Sequence, residues 1–279
     1  MAAERSATSM TTPLLELKDV AVRFGTQEVL RGVSLAIEPG QTVAFIGESG
    51  CGKTCLLKLI VGLLKPTEGD VLFEGKSLRA MGERELTAMR LRVGFLFQGA
   101  ALFDSLTVFD NVAFGLKAKG GMAAAAIRER VTERLREVGL PEGVEAKMPG
   151  ELSGGMKKRV GLARALALDP AVMLYDEPTT GLDPVMTDVI NGLILQTRAK
   201  RPVTSVIVTH EMRTVRDVAD RVVMFHPLAR LEPNEPQVVF DGRPTALAAA
   251  PDPRVRQFVE GRAASAERGA EKHRQTFDS

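Results

Sequence analysis

TVAFIGESGCGKT, residues 42–54, is the stretch from which the architecture can be read. TVAFIG, residues 42–47, is a short, nearly continuous apolar run ending at glycine, the pattern of a strand buried on both faces. GESGCGKT, residues 47–54, then satisfies G-x-x-x-x-G-K-S/T in full, and the apolar residues beyond it predict a helix from Lys53 to about Leu64. Strand, glycine turn and helix in that order make a phosphate-binding loop. Gly47, Gly50 and Gly52 leave room for backbone amides to converge on phosphate oxygens. Lys53 can reach the β- and γ-phosphates of a nucleotide, Thr54 can offer its hydroxyl to Mg2+, and the helix N-terminus adds partial positive charge. Glu48, Ser49, Cys51 and Cys55 complete the stretch expected to surround the phosphates, the cysteines as small loop and helix residues.

Outward from this loop, LLELKDVAVRF (14–24) and VLRGVSLAIEPG (29–40) alternate like paired strands around a turn. DVLFEG (70–75) and VGFLFQ (93–98) are further strands, with a polar helix near 82–91 between them. Residues 123–138 keep Ile127, Val131, Leu135 and Val138 on one helical face, and this middle section reads as a helical insert. Strand and helix then alternate again: AVMLYDEP (171–178), a helix near 184–200, VTSVIVTHE (203–211), a helix near 212–220, RVVMFH and VVFDG. Repeated β-α-β units with continuous apolar strands imply an α/β fold with a mostly parallel sheet covered on both faces.

Bulk composition narrows the function classes. The chain has 279 residues, 44% of them apolar and 26% charged, which is ordinary globular composition with room for a large core. A net charge of +2, with the three residues Lys157 to Arg159 as the longest basic cluster, gives no footing for nucleic acid. That cluster is expected on an exposed helix face. Two cysteines four apart are too few for a zinc site and too close for a disulfide framework, so a reducing cytosol is expected. No segment approaches 18 consecutive apolar residues, and nothing near the N-terminus reads as a charged-then-apolar signal, so neither a membrane span nor a signal sequence is expected. Residues 1–12 and 262–279 are polar and aperiodic, and are expected to be mobile tails.

A second chemical centre lies in VMLYDEP (172–178), where apolar residues carry Asp176 and Glu177 to a sheet edge. Asp176 can hold the Mg2+ shell, and Glu177 can orient or deprotonate water. His210 stands at the carboxyl end of another apolar strand, SVIVTH, where open α/β sheets bind ligands. His226 and His273 lack such a setting and read as structural or solvent-exposed.

In order along the chain stand Phe24, GESGCGKT, Gln98, LSGGM (152–156), LYDEP, GLDP (181–184) and VTH with His210. This ordered set, covering about 14–245, resembles the ATP-binding cassette ATPases. The resemblance implies a phosphate-loop NTPase domain with an N-terminal antiparallel β subdomain and an inserted α-helical subdomain. It implies a cassette at 13–250, the insert at about 99–155, and a C-terminal extension at 251–279. ATP and Mg2+ follow as cofactors, with Phe24 stacked on adenine and Gln98 touching both the ion and the attacking water. Two cassettes are implied to meet head to tail. Ser153, Gly154 and Gly155 of one subunit would then cap the γ-phosphate on its neighbour, with Asp183 at the interface. LFDSLTVFDNVAFGL (102–116) would dock on a membrane subunit, with two or three of its apolar residues forming the docking groove and the others packed inside.

LSGGM, FLFQGAALFDSLTVFDNVAF (95–114) and especially PDPRVRQFVEG (251–261) are similar to the ATPase subunits of Mla-type, Mce-associated phospholipid transporters. Met156 stands where most cassette signatures have glutamine, and its thioether is expected to pack. The resemblance implies a pair of ATPases working with polytopic inner-membrane permease subunits and a periplasmic Mce-domain lipid-binding protein. In some systems a small cytosolic STAS-domain protein joins them. It implies a place on the cytoplasmic face of a bacterial inner membrane, moving phospholipid between inner and outer membranes. A transporter for another solute, such as an amino acid or an expelled organic compound, is the alternative.

Overall fold

The computed structural model describes residues 12–261, so the polar ends expected at 1–12 and 262–279 lie, Thr12 apart, outside the described residues. In chain order the first elements are β1 (Leu15–Phe24), β2 (Gln27–Ile37), β3 (Thr42–Gly47), α1 (Lys53–Ile60), β4 (Glu68–Phe73), β5 (Lys76–Ser77), α2 (Glu83–Arg90) and β6 (Val93–Leu96). They are followed by α3 (Val108–Lys119), α4 (Ala124–Glu137), α5 (Gly154–Leu166), β7 (Val172–Asp176) and α6 (Pro184–Lys200). The last are β8 (Thr204–Val208), α7 (Met212–Val218), β9 (Arg221–Phe225), β10 (Val238–Gly242) and α8 (Pro253–Val259).

Two sheets divide the strands. One has the order β2-β1-β4-β5, and its paired strands are antiparallel. The other has the order β10-β9-β3-β8-β7-β6, parallel throughout except for the antiparallel edge strand β10. Every residue of β3, β7 and β8 is buried, as their unbroken apolar runs require. Their carboxyl ends therefore share one edge, where the phosphate loop leaves β3, Asp176 ends β7, and His210 follows β8.

Side chains between the two sheets pack around α1 in one core, with Leu15, Phe45, Leu56 and Leu59 among its members. The opposite face of the parallel sheet meets α3 to α6 in a second core containing Val112, Val131, Tyr175 and Ile190. Among the apolar residues of 102–116 weighed for docking, Val108 and Val112 are buried, while Phe103 and Phe114 are exposed. Those two rings lie 4.7 Å apart. Buried Asn111 fixes the turn that carries Phe103, accepting from its N–H at 2.8 Å and donating to the carbonyls of Phe103, Leu106 and Thr107.

Three local expectations change. Helix α1 stops at Ile60, because Gly62 takes a left-handed φ of 66° and the Leu63 N–H turns back to the Lys58 carbonyl at 2.9 Å. His226 is buried, which settles the choice left between a structural and an exposed histidine. PDPRVRQFVEG contains a helix, α8, with Asp252 accepting from the Arg254 N–H at 2.9 Å and proline at its first position. Fully buried Val255 anchors α8 in a third core that also contains Leu247 and Met224, a burial that contributes about 1.5–3 kcal/mol.

Candidate nucleotide-binding site

The phosphate loop is shaped by close approach as much as by flexibility. A Cβ at Gly47 would lie 2.2 Å from the Phe225 carbonyl oxygen, and one at Gly52 would lie 2.5 Å from Leu30 Cδ2. Glycine is required at both places for the loop to lie against β9 and β2. Lys53, 9% exposed, folds over the loop and donates from Nζ to the Gly47 carbonyl at 2.7 Å and the Glu48 carbonyl at 2.9 Å. Its ammonium is thus held over the amide cradle at the mouth of a cavity of about 610 Å³. That volume is of the size that small-ligand clefts have.

Gly47, Glu48, Ser49, Gly50, Gly52, Lys53, Thr54 and Cys55 line this cavity together with Gln98, Asp176, Glu177 and His210. Cys51 faces away, its thiol buried beside the Lys53 ammonium, with burial pushing its pKa up. The Thr54 hydroxyl donates to Asp176 at 3.5 Å. Burial first, then the neighbouring Glu177 charge, pushes the Asp176 carboxyl above its ordinary range, against Thr54, Lys53 and Lys58. A carboxylate held at such a cost is suited to a cation. Thr54, Gln98 and Asp176 offer only hydroxyl, amide and carboxylate oxygens, the hard donors Mg2+ takes, and too few to close its shell without phosphate and water.

Glu177 is held in an uncommon conformation. Its φ is 49°, a left-handed value that costs a non-glycine residue energy and is tolerated where the surroundings enforce it. The enforcement is visible: its N–H donates to the Val208 carbonyl at 2.8 Å, and its own carbonyl accepts from Lys158 Nζ at 2.9 Å. The carboxylate meets His210 Nδ1 at 2.9 Å and accepts from the Thr180 hydroxyl at 3.0 Å. Its side chain therefore faces the cavity with one histidine beside it, an arrangement able to orient a water and accept its proton.

Lys158 is a correction to the sequence reading. The basic cluster Lys157 to Arg159 was expected on an exposed face, yet Lys158 is 6% exposed, and burial pulls its pKa down against the charges of Glu177 and Asp176. Phe258 of α8 also lines the cavity, so the C-terminal motif reaches the nucleotide site within the same chain. A local motif search could find neither role.

Besides Cys51, the residues singled out at the end of β1, in the LSGGM stretch and at the start of α6 stand outside this cavity. Phe24, at the end of β1, is 50% exposed. Ser153 is exposed and caps α5, its hydroxyl accepting from the Met156 N–H at 3.3 Å; Gly154 is exposed beside it, and Gly155 is buried. Met156 packs against the second core, as expected for a thioether. Asp183 caps α6, accepting from the Val185 and Met186 N–H groups at 2.9 Å each.

A glycine loop, its lysine, a strand-end aspartate and a glutamate–histidine pair on one sheet edge define a phosphate-loop nucleoside triphosphatase. The sequence profile described as ABC transporter matches residues 30–180, and the chain belongs to that family as an ATPase. Over 248 residues it is 39% identical to the intermembrane phospholipid transport system ATP-binding protein MlaF of Escherichia coli (strain K12), covering 89% of each chain. It is 40% identical to the "Probable ribonucleotide transport ATP-binding protein mkl" of Mycobacterium leprae (strain TN), covering 89% of this chain and 69% of that one. Among solved structures, it resembles the dimeric post-hydrolysis state of the ATP-binding cassette MJ0796 bound to ADP and Pi. There the TM-score is 0.70 with 33% identity, over 77% of this chain and 96% of that one.

Proposed function

We propose that this chain binds and hydrolyses ATP for a transporter that moves phospholipid between membranes, working as a head-to-tail pair at the cytoplasmic face of an inner membrane. One observation carries the pairing. The cavity gathers the phosphate loop, Asp176, Glu177 and His210, while Ser153 and Gly154 face solvent outside it. An exposed serine and glycine at a helix N-terminus form an anion-facing surface that a second copy's phosphate chain can complete.

In this reading Thr54, Gln98 and Asp176 hold Mg2+, which neutralises charge on the phosphate oxygens when bound. The loop amides and Lys53 bind the phosphates, and Glu177, steadied by His210, holds and deprotonates the water. Phe24 meets the adenine and Asp183 the dimer interface. The cassette spans 13–250, with the helical insert at about 99–155 and the C-terminal extension from 251. The exposed Phe103 and Phe114 pair forms the docking face for polytopic permease subunits. A periplasmic Mce-domain protein and, in some assemblies, a cytosolic STAS-domain protein complete the set. No helix among the described residues is long and apolar enough to cross a membrane, so lipid contact falls to those partners.

MlaF and mkl are equally similar here, so overall identity does not choose the cargo. The C-terminal motif PDPRVRQFVEG supports lipid; the likeness to mkl favours a second reading, transport of another solute. Purification of the tagged chain in mild detergent tests both. Co-isolation of a polytopic subunit, an Mce-domain protein and phospholipid supports lipid transport. A solute-binding protein of another type in their place refutes it.

A further inference from the structure

A glutamine far from the phosphate loop in sequence holds the loop's backbone. Gln237, just before β10, is 2% exposed. Its side-chain Nε2 donates to the Cys51 carbonyl at 3.1 Å and to the Val29 carbonyl at 3.0 Å, and its Oε1 accepts from the Arg31 N–H at 3.0 Å. One amide thus joins the phosphate loop to β2, with both donor hydrogens and the acceptor engaged.

The direction of that pull matters. Gly52 lines the cavity and Gln237 does not. In a trans peptide the C=O and the following N–H point opposite ways, so drawing the Cys51 carbonyl back onto Gln237 turns the Gly52 N–H towards the cavity. Gly52 itself has φ 95°, with an added Cβ falling 3.1 Å from the Val29 oxygen, the same carbonyl Gln237 binds. The segment carrying Gln237 is anchored in turn. Arg230 pairs with Glu48 of the loop at 2.7 Å, and Glu235 pairs with Arg254 of α8 at 2.7 Å.

We infer that Gln237 is a positioning residue for the phosphate loop, presetting the Gly52 N–H for the phosphate chain of the nucleotide. Residues 226–237 and α8 brace it, which gives the C-terminal motif a role in ATP binding. The inference rests on the nucleotide reading above. Its signature is selectivity: nucleotides with a di- or triphosphate chain lose affinity, and adenosine does not.

Equilibrium binding of ATP, ADP and adenosine to the full chain tests it, using wild type, Gln237→Met, Gln237→Glu and the remote core variant Ile194→Ala. Both Gln237 variants keep the side chain's length and remove its donors, so failure of one to fold leaves the other. The expected result is about tenfold weaker ATP and ADP binding in the Gln237 variants with adenosine unchanged. Ile194→Ala, which lowers Tm, binds ATP as wild type does. ATP and ADP affinities within twofold of wild type in a folded Gln237 variant overturn the inference alone. So does an equal loss for adenosine, or an equal loss in Ile194→Ala, since either would mark general destabilisation. Wild-type protein that bound no ATP would overturn the nucleotide reading and this inference with it.

Discussion

Two glycine-containing stretches of this molecule, GESGCGKT and LSGGM, are built in opposite ways. GESGCGKT is pressed into the fold: Lys53 is buried, Gly47 and Gly52 have no room for a side chain, and the surrounding carboxylates lie within one cavity. LSGGM is presented outward, with Ser153 and Gly154 exposed and the serine hydroxyl occupied only in capping its own helix. Groups that one chain supplies to its own site need to be fixed before ligand arrives. A surface meant to close on another molecule has to be left open. On the proposed head-to-tail reading, the contrast teaches that half of the catalytic arrangement is folded and half is offered.

The sharpest way to separate the two is at the folded half. Glu177→Gln is expected to reduce phosphate release about 100- to 10,000-fold while ATP still binds, because the general base is lost and the phosphate contacts are not. Normal turnover would place the catalytic carboxylate elsewhere. Ser153→Arg tests the offered half: it should stop hydrolysis with ATP affinity within about twofold of wild type, since the serine lies outside its own chain's cavity. Weakened binding by the isolated variant chain would mean that the signature serves its own loop.

Smaller effects sharpen the picture. Lys158→Met removes the ammonium that holds the Glu177 carbonyl, and kcat is expected to fall about tenfold with KM nearly unchanged. A change confined to KM would give Lys158 a binding role. Asp176→Asn should abolish activity yet raise Tm of the nucleotide-free protein by about 2–4 °C at neutral pH. The sign follows from its raised pKa: the folded state holds the proton more tightly than the unfolded chain. Stability is therefore fullest below the ordinary carboxyl range and is lost as pH rises through the raised value. Thermal melts across pH should show the gain of Asp176→Asn vanishing in acid; a gain that persisted there would deny the desolvation.

The legible parts of the fold were those written locally. The apolar runs of β3, β7 and β8 are buried at every position, and the helix after GESGCGKT starts at Lys53 as its motif demands. Where that helix ends was hidden, because Val61 is buried and continues the apolar pattern although Gly62 has already turned the chain. Lys158 was misread because a basic run looks solvated until the strand end beneath it is known, and its partner lies 19 positions away. Gln237 and Cys51 are 186 positions apart, a pairing that leaves no periodicity to detect. Phe258 entered the cavity only because α8 folds back over β10.

Mixed pairs measure the head-to-tail claim most directly, using single-turnover phosphate release from dimers trapped with ATP. Lys53→Ala disables a phosphate loop and Ser153→Arg disables a signature. Placed on different chains, the two defects fall in the same composite site, and the other site stays whole. Placed on one chain opposite a wild-type partner, they disable both. Head-to-tail pairing predicts one phosphate per dimer when the defects are on separate chains and none when they share a chain. The reverse result, release only when they share a chain, would contradict it, because each loop would then be working with its own signature.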